Sequence, residues 1–317
     1  MKPQVLAITG VSGYFGRILM PLLQDDPTIE KIIGIDIQAP DVQEGWEKLE
    51  FHTMDIRDPD IETLLADVDV LVHLAFVLMR LPGDKEIDDI NVRGTQNVIE
   101  IAGRLGVPKI IVTSSTVAYG INPDNPVPLL ETSPLRPNKD LYYSYAKAAN
   151  EAYLDTFCKD HPEILVTRLR PPTVVGPNAK RELMAQVVAD VIPVIRGYSP
   201  LIKLLHEEDL AQAIHLAIRE DLPGIYNVTS DEPRSMDQLA ALRSVRTLPL
   251  PNFIVRGMST LLWRLGLTPF APEFVDLLSK YTFITSNEKL KATGWTPNYT
   301  TPDAYLSVVE AFGKDGK

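Results

Sequence analysis

Residues 5–16, VLAITGVSGYFG, constrain the fold more than any other stretch. Val5, Leu6, Ala7 and Ile8 form a short apolar run that ends in Thr9. Gly10, Gly13 and Gly16 then fall at three-residue intervals, and apolar residues with helical spacing follow over 14–23. The pattern predicts a strand, a glycine-rich turn and a helix. A residue without Cβ takes positive φ at Gly10, admits a pyrophosphate close to the backbone at Gly13, and lets helix pack against strand at Gly16. The helix N-terminus then offers free N–H groups and a positive dipole end to phosphates. The spacing is G-x-x-G-x-x-G, which differs from the common G-x-G-x-x-G dinucleotide fingerprint.

Asp36 strengthens the reading. It ends the next apolar run, 31–36 (KIIGID), 20 positions after Gly16, where a dinucleotide fold places an acid on the adenosine ribose. An acid there accepts hydrogen bonds from two ribose hydroxyls and repels a 2′-phosphate. No arginine follows it directly, so the expected cofactor is NAD rather than NADP.

With 317 residues, 45% of them hydrophobic, the chain can bury a large core, as one big domain or two linked ones. The formal net charge of −11 argues against non-specific binding to nucleic acid or to an anionic membrane. A phosphate-bearing substrate therefore needs a local basic pocket. The single cysteine, Cys158, leaves no disulfide framework or cysteine metal cluster and points to a reducing, cytoplasmic setting. The five histidines show no metal-ligand spacing, so no metal is expected. No basic-plus-apolar leader precedes the first strand, and the longest apolar run, 70–79, contains His73 and is too short to span a bilayer. A soluble protein is expected.

The first half alternates strands and helices. Strands are predicted at 5–9, 32–36, 49–53, 70–74 and 109–114, with helices after the glycine turn, at 61–65 and at 87–105. Ile87, Ile90, Gly94, Val98, Ile101 and Leu105 form a helical stripe. Such alternation implies a parallel sheet covered on both faces, with ligands bound beyond the carboxyl ends of its strands. Asp55, Leu74, Ala75 and Ser114 to Thr116 lie just past strand ends and are placed to line a site.

A second constellation combines Ser115 with Tyr143 and Lys147. Strand 109–114 delivers Ser115 at its carboxyl end, and the helix opening LYYSYAKAANE puts Tyr143 and Lys147 at i and i+4, on one face. A phenol ionises near ~10, so a tyrosine base at neutral pH needs a nearby cation, which Lys147 and an oxidised nicotinamide supply. The Ser115 hydroxyl holds the substrate oxygen and shares its proton. These parts move a hydride between carbon and NAD while a proton leaves an alcohol. Tyr142 and Tyr145 stand at the wrong distance from Lys147.

The motifs occur in one order along residues 5 to about 235: TGVSGYFG, GID ending at Asp36, MDIRD around Asp55, VHLAF around His73, NVRGTQNV from Asn91, VTSSTVAYG from Val112, ETSPLRP from Glu131, YSYAK from Tyr143, LRPPTVVGP from Leu169, LLHEEDLAQA from Leu204 and YNVTSDEPRS from Tyr226. The chain thereby resembles the extended short-chain dehydrogenases/reductases of the NAD-dependent epimerase/dehydratase family. The resemblance implies an α/β fold, a Rossmann-type doubly wound parallel sheet with a smaller C-terminal substrate-binding lobe. It divides the chain into an NAD-binding domain, 1–170, with later crossings near 201–230, and a mainly substrate-binding lobe, 171–317. It implies that Gly10, Gly13, Tyr14, Phe15 and Gly16 hold the pyrophosphate, Asp36 the ribose, Asp55 and Ile56 the adenine, and Leu74 and Ala75 the inner ribose region. Asn91 orders the cofactor end of its helix, Lys147 also grips the nicotinamide ribose, and backbone near Pro171 meets the nicotinamide. Ser115, Tyr143 and Lys147 are the catalytic set. A homodimer is implied, pairing helices 87–105 and 145–157 across a two-fold axis.

Departures from the family pattern narrow the chemistry. Thr116 and Val117 stand where sugar-nucleotide dehydratases carry an Asp-Glu pair, so the run from Ser115 to Gly120 resembles the 4-epimerase type. The expected substrate is a small molecule with a secondary alcohol, of a nucleotide sugar in the first instance. Ile202, Lys203, Leu204 and Leu205 replace the usual Arg-Asp before His206, leaving Arg170, Arg181 and Arg196 as candidate diphosphate partners. The apolar stretch 248–270 offers either a packed helical cap or a greasy pocket lined by Phe253, Leu262 and Trp263, the latter suiting a non-sugar alcohol or ketone and a plain dehydrogenase. Pro193, Pro223, Pro249, Pro251, Pro269 and Pro272 are expected at turns. His206 and Cys158 are expected to be structural. A non-catalytic dinucleotide sensor is the remaining class, one expected to have lost the serine, tyrosine or lysine that this chain keeps.

Overall fold

The computed structural model describes residues 4–41, 45–78, 86–184, 188–268 and 272–313. The first half runs β1 (Gln4–Thr9), α1 (Tyr14–Asp25), β2 (Ile29–Asp36), β3 (Leu49–Thr53), α2 (Glu62–Leu65), β4 (Val70–His73), α3 (Thr95–Leu105), β5 (Lys109–Thr113), α4 (Tyr142–Asp160) and β6 (Leu165–Arg170). The chain then passes through β7 (Thr173–Val175), α5 (Arg181–Met184), β8 (Val191–Ile195), β9 (Leu201–Ile202) and β10 (Leu204–His206) before α6 (Glu207–Arg219) and β11 (Gly224–Asn227). Beyond these lie β12 (Arg234–Ser235), α7 (Met236–Leu242), β13 (Arg246–Leu250), α8 (Asn252–Arg264), α9 (Pro272–Leu278) and the C-terminal helix Thr301–Phe312.

Seven strands form one parallel sheet in the order β11-β6-β5-β4-β1-β2-β3. Strand order reverses between β1 and β4, the switch point where a doubly wound sheet opens a crevice. Alternation along β1 explains both covered faces. Leu6 and Ile8 pack with α1 and α6 through Leu19, Leu23, Leu210 and Ile214. Ala7 points to the opposite face, where Val98, Ile101, Leu154 and Phe157 of α3 and α4 cover the sheet.

Between β6 and β11 the chain leaves the sheet and returns. This excursion and the C-terminal residues build a smaller cluster in which Val175, Leu204, Leu239, Tyr305 and Val308 are buried together. Ser235 starts α7 with a reciprocal capping box to Gln238, as a Ser-x-x-Gln spacing dictates. Pro193 and Pro249 lie inside β8 and β13, not at turns. These strands pair only with each other, so each has an open edge that tolerates a residue without N–H. Pro251 caps α8 and Pro272 opens α9, whereas Pro269 and Phe270 lie outside the described residues.

The stretch 248–270 also departs from expectation. It contains a strand end and α8, and among α8's described side chains only Val255 is buried. Phe253 and Leu262 are exposed and Trp263 half-buried, so these three form neither a closed pocket nor a packed cap.

Candidate active site

The turn after β1 is built around what its glycines lack. Gly10 has φ +76°, and a Cβ there would lie 2.6 Å from the Ala75 nitrogen, so only glycine lets the β1 turn touch the backbone following β4. A Cβ on Gly16 would collide with the Val11 carbonyl; the close approach is to the turn itself, where sequence reasoning expected the strand. At Gly13 a Cβ would meet the Gly10 carbonyl alone, tightly, 3.1 Å away. Gly13 caps α1 without a side-chain hydrogen bond, and no acid stands in the first turn. The N–H groups of the first turn of α1, at its positive dipole end, suit an anion.

Asp36, half-exposed at the end of β2, accepts hydrogen bonds from the Ser12 N–H (3.1 Å) and the Gln38 N–H (3.3 Å). The Asp55 carboxylate is gripped by Arg57, whose Nη2 donates to Oδ2 at 2.7 Å, which pulls its pKa down. Ile56 is buried beneath Gly94. The Tyr14 phenol donates to Glu207 at the start of α6 (2.5 Å), while Phe15 packs against the core.

Three strand ends converge on the catalytic candidates. Ser115 follows β5, its hydroxyl donates to the Pro171 carbonyl after β6 (3.3 Å), and it stands near enough to temper the rise in the Tyr143 pKa. The same carbonyl also accepts from the Thr116 N–H (2.9 Å). Lys147, one turn beyond Tyr143 on α4, is buried and donates to the Thr113 carbonyl at 2.9 Å. Phe76, just beyond Leu74 and Ala75, had no role in the sequence reading. Its ring centroid lies 3.7 Å from the Lys147 ammonium and 5.5 Å, edge-on, from the Tyr143 ring. The VHLAF motif contained it, but nothing in spacing revealed that it would face the Tyr-Lys pair.

This arrangement changes the expected electrostatics. Burial lowers the Lys147 amine to about 7, opposed by the Glu151 carboxylate. Burial also pushes the Tyr143 phenol up, only partly countered by Ser115. The Lys147 ammonium is directed at the Thr113 carbonyl and the Phe76 ring. Asn91 holds the loop after β4 by both backbone groups of Val77, at 2.7 and 2.9 Å, and donates to the Tyr142 hydroxyl. A π-helical turn, Asp89–Gly94, carries it inward. Tyr142 in turn donates to the Ile87 carbonyl, and Tyr145 is exposed.

Arg170 is no diphosphate partner. It is buried and bidentate to Glu151 (2.7 and 2.9 Å), with Arg168 also on Glu151 and Asp155. Glu151 sits four residues past Lys147, a spacing that marks a shared helix face but gives no sign of buried partners on β6. Arg181 reaches the Phe312 carbonyl (3.4 Å) and Arg196 is exposed beside β13. His206 caps α6 and stacks on Tyr299, and His73, lowered to about 3 by burial, bridges Thr9 and Thr95 as a neutral ring. The far wall is apolar: Tyr143 packs in a cluster with Val117, Leu141, Phe274, Leu277 and Tyr281.

A sequence model of the NAD dependent epimerase/dehydratase family matches residues 6–229. The chain belongs to that family. This epimerase/dehydratase chain is 26% identical over 310 residues to an uncharacterized protein of Mycobacterium tuberculosis, covering 96% of this chain and 82% of that one. It is 30% identical over 197 residues to the UDP-glucose 4-epimerase of Mycolicibacterium smegmatis, covering 57% and 60%. Among solved structures it is similar to the Thermus thermophilus UDP-glucose 4-epimerase in complex with NAD, with a TM-score of 0.74, 21% identity, and coverage of 97% and 98%. That likeness shows the family's fold, with its seven-stranded parallel sheet.

Proposed function

We propose that this protein exchanges a hydride between a secondary alcohol carbon and NAD, with Ser115, Tyr143 and Lys147 as its catalytic set. The carrying observation is the convergence of Ser115, held on the Pro171 carbonyl, with Tyr143 and the buried Lys147 one turn apart on α4, at the strand ends beside the glycine turn. The residues present fit a dinucleotide: a cradle at Gly10 and Gly13 that a Cβ would crowd, before a helix with no side-chain cap, and a half-exposed Asp36 carboxylate one strand away. In that fit Gly10, Gly13, Tyr14, Phe15 and Gly16 hold the pyrophosphate through backbone groups. Asp36 holds the ribose, Asp55 and Ile56 border the adenine, and Leu74, Ala75, Asn91 and Pro171 shape the nicotinamide end. NAD, when bound, supplies the hydride acceptor.

The protein's own groups manage the proton. Ser115 orients the substrate oxygen, and the Tyr143 phenol gives or takes the hydroxyl proton at that oxygen. With its pKa raised, Tyr143 is protonated at neutral pH and ready to donate to a ketone oxygen. The oxidative direction needs more positive charge beside the phenol. Lys147 provides it once its ammonium faces Tyr143 and not only the Thr113 carbonyl.

The first substrate reading is the sugar of a nucleotide sugar, in a 4-epimerase-like reaction, supported by the named relatives that are UDP-glucose 4-epimerases. A second reading, oxidation or reduction of a non-sugar alcohol or ketone, is favoured by the apolar cluster at Tyr143 and by Arg170 being locked on Glu151. A homodimer through α3 and α4 belongs to the same proposal. Thermal shift with NAD, NADP, and NAD plus UDP, dTDP or GDP separates the readings. Ligand at 100 times its dissociation constant stabilises by about 2.7 kcal/mol. An NAD shift with a further nucleotide shift supports the sugar reading, and an NAD shift alone moves the screen to apolar alcohols. No NAD shift overturns the proposal.

A further inference from the structure

Helix α8 carries its apolar side outward. It packs against β8 and α9, yet Phe253 is 75% exposed, Leu261 58% and Leu265 61%. Phe253, Gly257, Leu261 and Leu265 follow at four-residue steps and therefore form one ridge along the helix. Met258 and Leu267 are exposed beside it, and Leu248 of β13 continues the apolar surface toward the helix start. A soluble monomer rarely leaves so many large apolar side chains together in water.

The ridge's own helix and the strand before it are basic in a protein of net charge −11: residues 238–272 contain four arginines and no Asp or Glu, the elements packed against α8 bringing Glu273 at the start of α9 and Asp190 before β8. Arg256 and Arg264 of α8 and Arg246 of β13 are exposed, and none makes an ion pair among the described residues. Arg196 adds to the same corner, since its N–H donates to the Leu250 carbonyl at 2.9 Å. An apolar ridge flanked by arginine is the pattern of a helix that lies in a bilayer interface. A second copy is a poor occupant, because a two-fold contact sets the patch against itself, and α8 with the end of β13 offers arginines and no carboxylate to pair with them. No helix among the described residues is long and apolar enough to cross a membrane, so contact would be in the plane of the surface.

We propose that α8 and the adjoining end of β13 form an interfacial anchor for a bilayer carrying anionic lipid. The acidic remainder of the chain is repelled by such a surface, which leaves this face as the one presented. Net charge alone had argued against an anionic membrane; the local balance is what a membrane meets within a Debye length. The anchor is independent of the substrate, although α9, packed on α8, also contributes Phe274 and Leu277 to the cluster around Tyr143.

Flotation of the full chain with phosphatidylcholine vesicles, and with vesicles of equal parts phosphatidylcholine and phosphatidylglycerol, tests this. The bound fraction should be at least tenfold higher on the anionic vesicles and fall with added salt. The double variant Phe253→Ser/Leu261→Ser and the double variant Arg256→Glu/Arg264→Glu should both lose flotation while keeping the wild-type thermal midpoint. Equal recovery on the two vesicle types, or undiminished flotation of either variant, would overturn the anchor. So would a lipid-free dimer that the Phe253→Ser/Leu261→Ser variant abolishes, since a second copy would then be the occupant.

Discussion

Lys147 must carry charge where its surroundings disfavour one, and this sets two expectations at the scale of single residues. Its amine is near 7 in the folded protein against an ordinary value near 10.5. Between those two pH values the unfolded chain holds a proton that the folded chain has released, so this lysine makes stability rise with pH across the window. In Lys147→Met that contribution is gone. The stability of the variant relative to wild type should therefore fall as pH rises from about 7 to 10.5, as read from urea midpoints, and turnover should be lost. Tyr143→Phe tests the proton route alone. It should keep the NAD-induced thermal shift and lower turnover by about 100-fold or more; unchanged turnover would remove Tyr143 from the catalytic set.

At the scale of elements, the β1–α1 turn separates binding from folding. Gly13→Ala sets a methyl 3.1 Å from the Gly10 carbonyl at the start of the helix, so NAD affinity should drop while the thermal midpoint falls less than in Gly16→Ala. Gly16→Ala drives a methyl into the Val11 carbonyl and should lower the midpoint itself. Between α4 and β6, Glu151 joins both arginines of the strand to the helix that carries Tyr143 and Lys147. Glu151→Ala leaves those cations buried and should cost about 3–5 kcal/mol, measurable by urea unfolding. The inner first-half strands were legible because burial on both faces writes continuous apolar runs, as in β4 and β5, while the edge strand 49–53, with no buried residue, still matches its predicted bounds. The Ser115, Tyr143 and Lys147 neighbourhood was legible because helix spacing and sheet order are local rules. What failed needed a partner distant in sequence. Arg170 looked free until Glu151 claimed it, and Pro193 and Pro249 looked like turns until β8 and β13 proved to be mutual edges. The apolar spacing of 248–270 revealed a helix face but not whether anything covered it.

For the whole molecule, the sheet is not finished where β6 ends. Strand β11 and helix α6 arrive only after the excursion through β7 to β10, and α6 supplies Leu210, Ile214 and Ile218 to one face of the core. A chain ended after Arg170 should therefore aggregate or be cleaved rapidly by protease, with β6 bare along one edge. Tyr14 ties the two parts further, reaching from α1 to Glu207, which also accepts from the Asn178 backbone and side chain. The late return of β11 also sets a timetable for synthesis. A ribosome making this protein must deliver Asn227 before β6 gains its outer neighbour, so the nascent chain spends the translation of some fifty residues with a sheet edge and an apolar face in need of shelter.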